Sequence, residues 1–218
     1  MNDFENLKEI CRQACHERNA CKAGYEALLA TENIGQLLQV WRDNWQDIFS
    51  SKFADVMVKN ITKVYATSKA EFNAADVYVN EPSERGLVII SGAEESIMVG
   101  GTARAYIFSP ATVTAIDNAQ VYCRTAGSTI ILRGHSHGGI DNVYTHVEVR
   151  EFASANGSMT CVTYQAAEVS IGYGTLTDYG HRRIIASGGA IVYSNAIKGI
   201  ELSGEAVQHP LEKMKNDE

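Results

Sequence analysis

From about residue 103 onward the chain repeats a five-residue unit, Ala-x-Val-x-small, and this repeat restricts the possible folds more than any other feature. It is written in Ala111–Ala115 (ATVTA), Ala119–Cys123 (AQVYC), Ala167–Ile171 (AEVSI) and Ala190–Ser194 (AIVYS). Looser copies are Ala103–Ile107, Ser128–Leu132 and Thr145–Val149. The copies follow one another at about eight residues, with interruptions near 139 and 177. Alternation within a unit puts Ala, Val, Ile and Cys on one face and Thr, Gln, Glu and Tyr on the other, as in a short half-buried strand. A strand this short cannot bury its inner face alone, whereas successive coils stacked on one another bury a continuous core. A sandwich also has strands at such spacing. The small residues returning to one slot favour the narrow interior of a right-handed β-solenoid, mainly β behind a helical N-terminal segment. Two strands per coil predict coils of about 16 residues and three predict about 24.

Val113, Val121, Ile130, Val147, Val169 and Val192 share the central slot and are expected to point inward. Between units stand Asp117-Asn118, Gly127, Asp141-Asn142, Gly172, Gly188-Gly189 and Ser194-Asn195, the residue types that turn corners. Asn118, Asn142 and Asn195 are expected to take the left-handed conformation there.

The first 60 residues have a different period. Phe4, Leu7, Ile10, Cys11 and Cys15 fall at helical steps, as do Leu28, Leu29 and then Leu37, Leu38, Val40 and Trp41. A further segment presents Ile48, Phe49, Phe53, Val56 and Met57. Helices this short are marginal alone and must pack on one another or on the repeat. The expected organisation is a helical cap or docking segment over 1–60, a solenoid over 61–208 and a C-terminal tail over 209–218.

The run ATVTAIDNAQVYC (Ala111–Cys123) resembles the repeat of phage- and prophage-encoded β-helix proteins, in which units of the DNAxVxA kind follow one another. Some of those proteins begin with a short helical segment containing a stretch similar to Asn19–Gly24 (NACKAG). The resemblance implies a β-helix behind a helical segment and brings no catalytic residue with it.

Composition narrows function by exclusion. The formal net charge of -7 argues against a general nucleic-acid binder, because phosphate contacts need a basic face. No apolar run reaches the ~18 residues of a membrane helix, and the N-terminus MNDFENLKEI has neither part of a signal peptide. A cytoplasmic protein with reduced cysteines is the expectation. No P-loop, dinucleotide fingerprint or Gly-x-Ser-x-Gly is present, so no cofactor is implied and catalysis is not favoured.

Three constellations remain. His135 and His137 lie in the glycine-rich stretch Gly134–Gly139, followed by Asp141 and His146, residue types that ligate zinc. Because a repeat slot is missing there, the segment is expected to loop out of the wall. Tyr173, Asp178, Tyr179, His181, Arg182 and Arg183 fill the second interruption, and tyrosine with arginine is the composition of protein-binding hot spots. Cys11, Cys15, His16 and Cys21 offer a Cys3His set but lack close Cys pairing and read better as core. Glu148, Glu151, Glu168 and Asp178 would serve a glycan-cleaving groove if two converged. The favoured reading is a non-catalytic binding or structural module with a protein partner, and a glycan-active or glycan-binding β-helix is the alternative. Self-association through solenoid ends or walls is compatible with both.

Overall fold

The apolar steps of the N-terminal stretch become helices α1 (Asp3–Arg18), α2 (Lys22–Leu29), α3 (Ile34–Asp43) and α4 (Ala54–Ala74) in a computed structural model that describes residues 3–18, 22–45, 53–92 and 96–214. Leu7, Ile10, Cys11, Leu28, Leu37, Leu38, Trp41 and Met57 pack into one cluster. Asn33 caps α3, its side chain accepting the Gln36 N–H at 3.0 Å. Two of the expected inward residues face out, Leu29 at 47% and Val56 at 49% exposure. Ile48, Phe49 and Cys21 lie outside the described residues.

α4 overruns the boundary expected at residue 60. Ile61, Val64, Tyr65 and Phe72 are buried in the helical cluster; Ile61, Val64 and Tyr65 continue the apolar stripe at three- and four-residue steps, and Phe72 follows beyond a kink at Ser68. Packing of that stripe outweighs the strand preference of its β-branched residues.

The repeat then forms β1 (Val77–Val79), β2 (Leu87–Ile90), β3 (Ile97–Val99), β4 (Arg104–Ile107), β5 (Thr112–Ala115), β6 (Gln120–Cys123) and β7 (Thr129–Leu132). Three long strands follow, β8 (His137–Val149), β9 (Ser154–Thr163) and β10 (Glu168–Asp178). The series ends with β11 (Arg183–Ala186), β12 (Ile191–Tyr193), β13 (Ile200–Leu202), β14 (Val207–His209) and the short α5 (Leu211–Met214). All the paired strands run parallel in a β-solenoid of about eight turns. A first wall contains β1, β2, β4, β6, the leading halves of β8, β9 and β10, then β11 and β13. A second wall contains β3, β5, β7, the trailing halves of the long strands, then β12 and β14. Each coil therefore has two strands, and its length of about 16 residues is the step from Ala105 to its partner Val121.

The six central residues all point inward, none more than 3% exposed. The interruptions of the repeat are occupied slots. Gly138 pairs with Val121 and Ala155 in the first wall, and Leu176 pairs with Cys161 and Val192 in the second. A Cβ on Gly138 would lie 2.8 Å from Leu132 Cδ1, so the large residue of one wall fills the space left by the glycine of the other.

At the corner leading from the second wall to the first, Gly101, Asp117, Gly134, Glu151 and Gln165 all have φ between 51° and 65°. Asn118, Asn142 and Asn195 are not left-handed. The turn takes its strain one residue earlier at Asp117, whose carboxylate accepts the Gly101 N–H at 3.2 Å, a bond Asn118 is not placed to make.

The helices dock on the outer face of the first coils. Trp45 lies 4.6 Å from the Tyr122 ring and 5.8 Å from the Tyr106 ring, centroid to centroid, and the same cluster holds Val77, Val79, Leu87 and Ile89. Gly139 leaves room for Tyr122 to lie flat on the wall, a Cβ there being 3.0 Å from its ring. Among the described residues no helix is long and apolar enough to cross a membrane.

Candidate binding ridge

The glycine-rich histidine segment does not leave the wall. His137 begins β8 and pairs with Gln120 and Ser154, so the glycines extend the sheet rather than break it. Alternation along a wall and the corner before it send the four candidate ligands apart. His135 sits on the corner with its ring stacked on Phe152 at 5.5 Å and 16°. His137 faces out from the first wall, Nδ1 at 2.9 Å from Ser154 Oγ, and burial lowers its pKa. Asp141 stands 3.7 Å from Arg124. His146 faces out from the second wall, 3.9 Å from Glu148. Among the described residues no three metal-capable side chains converge. In the helices, Cys11 Sγ accepts the Trp41 indole N–H and lies 4.0 Å from Met57 Sδ, a core environment that pushes its thiol pKa up.

The second constellation is brought together only in part: Asp178, Tyr179 and His181 line one cleft, and Tyr173, Arg182 and Arg183 lie apart from it. Tyr173 is on the corner leading into the second wall, its ring over Gly188 and Gly189. Asp178 points into the interior at 5% exposure and holds His181 Nδ1 at 2.9 Å. Arg182 pairs with Glu168 at 3.2 Å and Arg183 with Glu201 at 3.0 Å. Of the six, Tyr179 joins a stack of side chains that runs from coil to coil.

That stack is a ridge along the corner where the second wall turns into the first. Val149, Thr163 and Asp178 share an inward slot, so the residues after them, Arg150, Tyr164 and Tyr179, stack on successive coils. The Arg150 guanidinium lies 4.7 Å from the centroid of the Tyr164 ring. Tyr164 and Tyr179 are stacked at 5.6 Å and 17°. Phe152 on the same corner is 61% exposed, as is Tyr179. Glu148 holds Arg150 from the side at 2.6 Å, fixing the guanidinium over the ring. Arg150, Phe152 and Tyr164 escaped the sequence reading, although all follow an inward slot of the repeat by one to three residues. Counting from that slot would have found them.

The four carboxylates considered for glycan cleavage lie on different surfaces. Glu148 faces out from the second wall, Glu151 is on the corner, Glu168 faces out from the first wall and Asp178 is internal. Comparison with protein-family models, with curated proteins and with solved structures finds no match.

Proposed function

We propose that this protein is a non-catalytic binding module, of the phage-related kind its repeat resembles, whose solenoid holds the Arg150–Tyr164–Tyr179 ridge rigidly toward a protein partner. One observation carries the reading: an arginine and two tyrosines stack on consecutive coils of a rigid scaffold with Phe152 exposed beside them. Stacking pre-orders side chains that would otherwise lose rotamer freedom on binding, which lowers the cost of association. Tyrosine and arginine are also the side chains that contribute most at protein interfaces.

The test is quantitative affinity enrichment from the native host with three forms of the chain. They are the parent, a Tyr164→Ala/Tyr179→Ala ridge variant, and a Tyr144→Ala/Tyr173→Ala variant altered away from the ridge. A protein retained by the parent and the second variant but reduced about tenfold or more in the ridge variant supports the reading, since a hot spot contributes about 2 kcal/mol or more. Equal recovery with all three forms overturns it. Ridge-dependent retention of a polysaccharide instead of a protein would move the assignment to the glycan-binding alternative, which uses the same rings.

A further inference from the structure

One interior column of the second wall changes chemistry along the solenoid. Val99, Ala115, Leu132 and Val149 are apolar, and the same slot then holds Thr163 and Asp178, with Ser194 next in line. These three polar residues are no more than 5% exposed. Asp178 accepts Thr163 Oγ1, the Gly180 N–H and His181 Nδ1, each at 2.9 Å, and the Ser194 hydroxyl. Four donors meet two carboxylate oxygens, which is the full capacity of the group.

The network runs on into the last coil. His181 Nε2 lies 3.1 Å from the Lys198 carbonyl, so the ring bridges Asp178 and the backbone of the last coil. Ser194 Oγ accepts the Ala196 N–H at 3.0 Å. Gln208 follows Val192 in the other interior column, and its Nε2 donates to the carbonyls of Ser194 at 3.1 Å and Ala196 at 3.0 Å. Asn195 Oδ1 accepts the Leu211 N–H at 3.0 Å, tying in α5.

Apolar burial fades over the same stretch. Leu202 is 44% exposed, whereas Ala186 and Ile171 in the same column of the preceding coils are buried, and Ile197 between β12 and β13 is 98% exposed. The cleft of about 430 Å³ lined by Asp178, His181, Ser194 and Leu211 has a floor where Asp178 bonds His181 and Ser194.

We propose that residues 179–214 are a cap that closes the C-terminal end of the solenoid as one cooperative unit, latched by Asp178 and released without unfolding the coils before it. Repeat arrays need atypical terminal units to finish their stacks. Here the finish is a polar latch and short edge strands, with Pro210 just after β14 offering no N–H to a further strand. A buried carboxylate tolerates desolvation only while its donors are in place, so loss of one weakens the whole contact. Local opening of the array's last units is then the lowest-energy excursion available.

Amide hydrogen exchange on the full chain tests this. His181→Ala removes a donor to Asp178 and the bond to Lys198 while leaving the apolar columns intact. In that variant, exchange in β11–β14 is expected to rise about tenfold or more, the effect of losing one charge-assisted hydrogen bond, while β4–β7 stay within about twofold of the parent. A rise of the same factor in β4–β7, or no rise in β11–β14, overturns the proposal. Should His181→Ala fail to fold, Ser194→Ala removes one neutral donor to Asp178 and the acceptor of the Ala196 N–H, and is read by the same two outcomes.

Discussion

The Glu151 carboxylate accepts the backbone N–H of Gly134, one coil earlier, at 2.8 Å, while the Glu151 N–H is itself taken by the Gln165 carboxamide at 2.9 Å. Corner residues in the left-handed region thus clamp their predecessors with their side chains, as Asp117 clamps Gly101. The strain of a non-glycine corner is offset by the bond its side chain makes. Glu151→Ala keeps the strain at φ 60 and loses the acceptor, and it is expected to cost about 1–2 kcal/mol. Glu151→Gly loses the same acceptor but relieves the backbone and is expected to cost less. Urea unfolding midpoints decide, and equal losses in the two variants would break the link between clamp and strain.

The interior columns set a larger scale. Val121→Asp places a charge without a partner at a position 0% exposed and is expected to cost several kcal/mol. Gly157→Ala is expected to prevent folding of the central coils, because φ there is +120° and a Cβ would stand 1.7 Å from the Ile140 carbonyl oxygen. Circular dichroism melts check both. A parent-like transition would contradict, for Val121→Asp, the register in which Val121 opposes Ala105 and Gly138 and, for Gly157→Ala, the pairing of Gly157 with Ile140.

The inward slots were legible because a period of two and a repeat near eight act on every coil alike, and Val113, Val121 and Val192 obey both. The corners were less so. Which of Asp117 and Asn118 takes the left-handed turn depends on a hydrogen bond to the previous coil, a contact that composition does not encode. The two interrupted stretches read as loops for one reason. His137–Gly139 and Tyr173–Asp178 look like loops because glycine and polar residues interrupt the repeat, yet parallel pairing on both sides keeps them in the walls. Asp178 in particular has the composition of a surface site, but the strand period turns it inward. The ridge needed the coil length, since Arg150, Tyr164 and Tyr179 are neighbours only once two strands per turn are known.

Thiol chemistry should rank the cysteines by burial. Cys11 and Cys161 are 1% exposed, and desolvation pushes both thiols up, away from the reactive thiolate. Cys15, on the same helix as Cys11, is only partly buried. Titration of the native protein with a disulfide reagent is expected to modify Cys15 well before Cys11 and Cys161, which react on the timescale of unfolding. Mass-spectrometric mapping showing Cys11 or Cys161 labelled as fast as Cys15 would refute the burial of these positions.

His137 gives the clearest pH dependence. Desolvation on the first wall lowers its pKa below the ordinary 6.5, so the fold favours the neutral ring. The unfolded chain, with the ordinary value, takes up a proton at higher pH than the folded one. Between the two values the unfolded state binds more protons, and stability therefore rises with pH across that window. Read downward, the contribution is fully present above about 6.5, declines as pH falls toward the lower folded value, and is constant again below it. His137→Gln removes the titrating ring while keeping a side chain able to bond Ser154. Urea midpoints at pH 7.5 and 5.5, chosen to bracket the start of the window at about 6.5, are expected to fall further in the parent than in the variant. The same drop in both proteins, or a smaller one in the parent, would show that burial does not hold the His137 ring neutral.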